Sequence, residues 1–80
     1  MTIEEMVRAI QAKIPDAEVY IQDLTGRGDH FDAVVVSPQF EGKSRIEQHR
    51  LVMGAFSQEL KGPLHALALK TYTPEGWSKV

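Results

Sequence analysis

Residues 17–36 read AEVYIQDLTGRGDHFDAVVV, and they decide the architecture. Ala17, Val19 and Ile21 alternate with Glu18, Tyr20 and Gln22, the period-two pattern of a strand with one buried face. From Phe31 to Val36 the residues are β-prone and nearly all apolar, which suits a central strand better than an edge. Between them, Thr25–Asp29 carries turn chemistry, with Gly26 and Gly28 able to take positive φ. The segment therefore predicts a β-hairpin. One residue in it is not explained by turning. His30 stands at the exit of the turn, where an imidazole has no conformational task.

Toward the N-terminus, Thr2 and Glu5 have the spacing of a capping box. Ile3, Met6, Val7, Ile10 and Ile14 then recur at helical intervals. Pro15 ends the run, because the residue before a proline avoids the α region. This predicts a helix over about residues 3–13.

Toward the C-terminus, Ser37-Pro38 breaks the second strand, and the loop PQFEGK holds one large apolar residue, Phe40, as an anchor onto the core. Ser44 and Glu47 form a second capping box. Ile46, His49, Met53, Phe56 and Leu60 fall roughly on one face of the helix that follows. Gly54 weakens that helix by about 1 kcal/mol relative to Ala, so a break into two pieces is expected near Gly54–Ser57. Gly62-Pro63 stops the helical part. LHALALKTY then reads as a third strand, with His65, Leu67 and Leu69 on one face. Thr73-Pro74-Glu75 opens a short terminal helix that Trp77 pins to the domain. The order αββααβ(α) predicts one α+β domain over residues 1–80, a two-layer sandwich of a three-stranded sheet with helices on one face. The third strand enters beside one hairpin strand after the helical crossover.

Composition narrows the function. A chain of 80 residues hides only about 60–65% of its unfolded surface, so the core is thin. It leaves little room for a ligand pocket of roughly 300–1,000 Å³. The net charge of −2 argues against a dedicated DNA-binding or membrane-surface module. No apolar run reaches transmembrane length, and MTIEEM is acidic where a leader is basic, so a soluble cytoplasmic protein with no membrane role is expected. The chain has no cysteine, which excludes disulfides, a thiol nucleophile and any all-thiolate metal site built by this chain alone. No G-x-S-x-G, H-E-x-x-H or P-loop spacing occurs, and the chain is not read as an enzyme.

His30, His49 and His65 remain as candidate metal ligands. His49, on the apolar face of the second helix, reads as a hydrogen-bonded core residue. Sequence spacing alone cannot bring His30 and His65 together. Two imidazoles are in any case half a shell, since a structural zinc or a [2Fe–2S] cluster takes four ligands. A partner must complete any site here. Lys43, Arg45 and Arg50 surround a helix start but are diluted by Glu41 and Glu47, and read first as a solvated charged face. The element order also fits a type II KH-like domain, but the GXXG loop that clamps a nucleic-acid backbone is missing.

VVVSPQFEGKSRIEQHRLVMGAF (residues 34–56) resembles the signature of the BolA family: strand, Ser, Phe-x-Gly, then a helix bearing His-Arg. HALALKTYTPEGW (residues 65–77) is similar to its C-terminal half. The resemblance covers residues 2–78. It implies the αββααβ fold and partnership with a monothiol glutaredoxin. The pair shares a [2Fe–2S] cluster in iron–sulfur trafficking, maturation or iron sensing. Glutaredoxin and its bound glutathione supply thiolates. The BolA side supplies His65 and a Cys or His from the loop between the first two strands, here His30. The isolated chain would hold no cluster and be a monomer or weak dimer. A second implication is DNA-binding transcriptional regulation of stress response and morphology, through Lys43, Arg45 and Arg50. Gln48 stands where the family usually has a basic residue before His-Arg, which weakens the DNA reading and leaves the cluster reading untouched.

Overall fold

A computed structural model describes residues 2–26, 30–56 and 66–80. The first helix, α1, spans Ile3–Lys13. Both arms of its capping box form. The Glu5 N–H donates to Thr2 Oγ1 at 3.1 Å, and the Thr2 N–H donates to Glu5 Oε1 at 2.9 Å. Met6, Ile10 and Ile14 are fully buried.

The hairpin follows as β1 (Glu18–Asp23) and β2 (His30–Val36), paired antiparallel with Ile21 opposite Ala33. The Leu24 N–H donates to the His30 carbonyl at 2.9 Å and closes it. The turn is opened by the last residue of β1, Asp23. The Asp23 carboxylate accepts from the N–H groups of Thr25 and Gly26 at 3.2 and 2.9 Å, and Gly26 takes φ +77°. Gly28 and Asp29 lie outside the described residues.

The third strand, β3 (Ala66–Tyr72), runs parallel to β2, giving the order β1-β2-β3 with β2 central, as its apolar composition requires. Parallel neighbours need a crossover. Here it contains a 3-10 turn (Pro38–Phe40), helix α2 (Arg45–Met53) and a second 3-10 turn (Gly54–Phe56). The α-helical geometry stops at Met53, so the expected break at Gly54 is present. Leu60, Gly62, Pro63 and His65 lie outside the described residues.

Met6, Ile10 and Ile14 of the α1 segment, Phe31 and Val35 of β2, and Phe40, Val52 and Phe56 of the crossover form one core, with Leu67 and Leu69 packed against it. Phe40 is fully buried, the anchor expected of it. The buried stripe of α2 differs from the expectation. Ile46 is 66% exposed, while Val52 and Phe56 are buried. Four residues before Val52, the same side of the helix carries Gln48, a polar residue outside the expected apolar series. His49 and Met53 are only half-buried.

Helix α3 (Pro74–Ser78) is capped by Thr73, whose hydroxyl accepts from the Gly76 N–H at 3.1 Å. Trp77 stacks on Tyr20 with centroids 5.5 Å apart and tilts against Tyr72 at 5.2 Å. This aromatic group closes one end of the sheet face away from α1 and α2. Ser37, fully buried, secures the same end: its N–H donates to the Tyr72 carbonyl, and its hydroxyl donates to Asp16 at 2.9 Å.

Two outcomes follow. Phe40→Ala leaves a cavity under the crossover and lowers stability by about 3–5 kcal/mol in urea unfolding; a loss under about 1 kcal/mol would remove Phe40 as anchor. The Ser44 N–H, with its hydroxyl, holds the Glu47 carboxyl below the ordinary glutamate value, and Thr2 does the same to Glu5. A carboxyl depressed in the folded state contributes fully above its unfolded value, and the contribution is lost as pH falls through the lower folded value. Helical circular dichroism should therefore decline as pH drops below the ordinary value of 4.5, and less steeply in the Glu5→Gln/Glu47→Gln variant. Superimposable titrations would contradict this.

Candidate functional site

His30 is the first residue of β2, exposed, on the sheet face away from the core helices. Its carbonyl is tied to Leu24 across the hairpin, so the start of β2 is held while the side chain is presented at the sheet's end. Across the parallel ladder its partner is Ala66. His65, the chain neighbour of Ala66, lies outside the described residues. The register thus relates His30 to the very start of β3, a juxtaposition that spacing in the sequence could not reveal.

Among the described residues, no group of three or more His, Cys, Asp or Glu side chains is arranged to hold a metal ion. The donor set at the start of β2 is an accessible imidazole with no thiolate in the chain. Such a set fits a contribution to a shared centre and does not fit a self-sufficient one.

His49 is not a core residue. It is half-buried and lines a groove of about 250 Å³ with Arg45, Leu69, Lys70, Thr71 and Tyr72. The candidate basic cluster is divided. Lys43 and Arg50 border a shallow hollow with Glu47 and Leu51, whereas Arg45 faces the His49 groove together with Lys70. Lys70 is not recognisable as part of this groove from the sequence, because only the fold brings β3 beside α2.

Gln48 has a structural task. Its side-chain amide donates to the carbonyls of Phe40 and Lys43 at 3.1 and 3.0 Å, and its Oε1 accepts from the Thr71 hydroxyl at 2.7 Å. One side chain thereby joins the crossover loop, α2 and β3.

A family model described as BolA-like protein matches residues 5–76. The chain belongs to the BolA family. Bovine BolA-like protein 1 is 50% identical over 54 residues, covering 68% of this chain and 40% of the relative, so the chain spans well under half of that protein. The DNA-binding transcriptional regulator BolA of Escherichia coli is 34% identical over 79 residues, covering 94% of this chain and 75% of the relative. A solved BolA homologue from Coxiella burnetii superposes with a TM-score of 0.80 at 34% identity, covering 98% of this chain and 97% of its own. The three-stranded α+β architecture is therefore the BolA fold.

Within this BolA-like domain, Gln48→Leu strips two carbonyls and one hydroxyl of a partner. It should cost about 1–3 kcal/mol in chemical denaturation. An unchanged midpoint would show that water replaces the amide without penalty.

Proposed function

We propose that this BolA-like protein is a non-enzymatic partner of a monothiol glutaredoxin. It holds a [2Fe–2S] cluster jointly with that protein and glutathione, in iron–sulfur trafficking, maturation or iron-dependent regulation. His30 and His65 are its ligands. The observation that carries the reading is the pairing of His30 with Ala66, the residue next to His65. Family membership and the absence of cysteine support it. When bound, such a cluster supplies one-electron chemistry, at a potential raised where imidazole replaces thiolate. The task of this chain is to supply imidazole ligands; the Leu24–His30 hydrogen bond holds the strand from which His30 projects.

Mixing the protein with cluster-loaded glutaredoxin should produce new visible absorption and circular dichroism bands. His65→Ala abolishes them, and His30→Ala leaves a weaker or more labile spectrum because one ligand must be replaced. A response unchanged in His65→Ala contradicts the assignment.

A second reading, DNA-binding regulation, is favoured by the name of the Escherichia coli relative. Here Lys43 and Arg50 act as one phosphate-facing pair, and Arg45 belongs to a different surface. DNA binding by this route weakens with salt, with a slope of about −0.9 per phosphate neutralised. The Lys43→Ala/Arg50→Ala variant flattens that slope by about two such increments. No binding to duplex DNA at low salt would end this reading.

A further inference from the structure

The groove beside β3 is absorbed by neither reading. Its position relative to the sheet gives it a specific character. The sheet order leaves β3 at an edge. The Ser37 N–H donates to the Tyr72 carbonyl, so Tyr72 directs its backbone groups toward β2. Residues of a parallel strand alternate in this respect. Lys70 therefore also faces β2, and Leu69 and Thr71 direct their N–H and C=O groups outward, into the groove that their own strand lines.

The walls are basic. Arg45 from α2 and Lys70 from β3 both line the groove, together with His49 and Tyr72, and none of its lining residues is acidic. A lysine on an edge strand is commonly a guard against edge-to-edge association. That role covers self-pairing, since a second copy laid against β3 would bring like charges together. It does not keep out a strand of opposite charge. Arg45 lies on α2, outside the sheet, so an edge guard does not account for it.

We infer that this groove is a docking site for an extended acidic segment of a partner protein. The segment adds to the sheet as a fourth strand beside β3, in the manner of β-augmentation. Its main chain pairs with Leu69 and Thr71. Its side chains on the α2 side lie along Arg45 and His49, and those on the other side lie along Lys70 and Tyr72, so that a carboxylate on each side meets a cation. The surface lies toward the Tyr72 end of β3, whereas His30 pairs with the Ala66 end, so docking and cluster ligation are separable.

The probe is a blocked peptide of the repeat Val-Glu-Glu, which presents carboxylates on both faces of a strand, titrated into the ¹⁵N-labelled protein. It should shift the Leu69 and Thr71 amide resonances and slow their hydrogen exchange. Lys70→Glu or Arg45→Glu should weaken binding by about tenfold or more. Both side chains are exposed, so these variants keep the fold. The same peptide with Lys in place of every Glu should not bind. Peptides N-methylated on alternate residues, in the two possible phases, separate strand pairing from charge attraction: the phase that blocks the paired edge should abolish binding. Equal binding of both methylated peptides, or no perturbation at Leu69 and Thr71, overturns the proposal. If an oligothymidylate perturbs these amides while the acidic peptide does not, the groove is a nucleic-acid cleft and the proposal fails.

Discussion

Parallel pairing of β2 with β3 is the constraint on which the rest of this structure depends. Two strands that run the same way cannot be joined by a short turn, so the chain must cross the sheet between them. The crossover carries Phe40, Val52 and Phe56 to the face already lined by α1, where they complete the core begun by Met6, Ile10 and Ile14. The same pairing brings the starts of β2 and β3 to one end of the sheet, with His30 opposite Ala66. A domain this small hides little surface, so one topological choice supplies both its stability and the placement of its distinctive imidazole.

Much of the remaining order is polar and local. Two capping boxes fix where α1 and α2 begin. Ser37 and Gln48 then tie the crossover to the sheet at separate points, through Tyr72 and Thr71 respectively. No buried side-chain nitrogen or oxygen among the described residues lacks a partner. The aromatic stack of Trp77 on Tyr20 and Tyr72 covers one end of the face that the core helices leave open.

How much of this the residues announced depends on whether the cause was local. The capping boxes, the hairpin, the central strand and the break at Gly54 were legible because each rests on neighbours within a few positions. Phe40 was legible because a lone large apolar residue in a polar loop has few other uses. The buried stripe of α2 was misread at Ile46, since the position facing β3 is occupied by Gln48, whose partners come from 5, 8 and 23 residues away. His49 and Lys70 were not recognisable as walls of one groove for the same reason. The resemblance to BolA proteins named His30 and His65 as ligands. The structure adds the register that relates His30 to the neighbour of His65.

In the proposed complex, ligation is a joint property of two chains, with imidazole from this one and thiolate from its partner. Pulsed electron paramagnetic resonance of the reduced cluster complex tests this most directly, with ¹⁵N-histidine incorporated into this chain alone. The account predicts two distinct imidazole ¹⁵N couplings, one vanishing in His65→Ala and the other in His30→Ala. A spectrum with no histidine coupling, or one unaltered by either substitution, would contradict it.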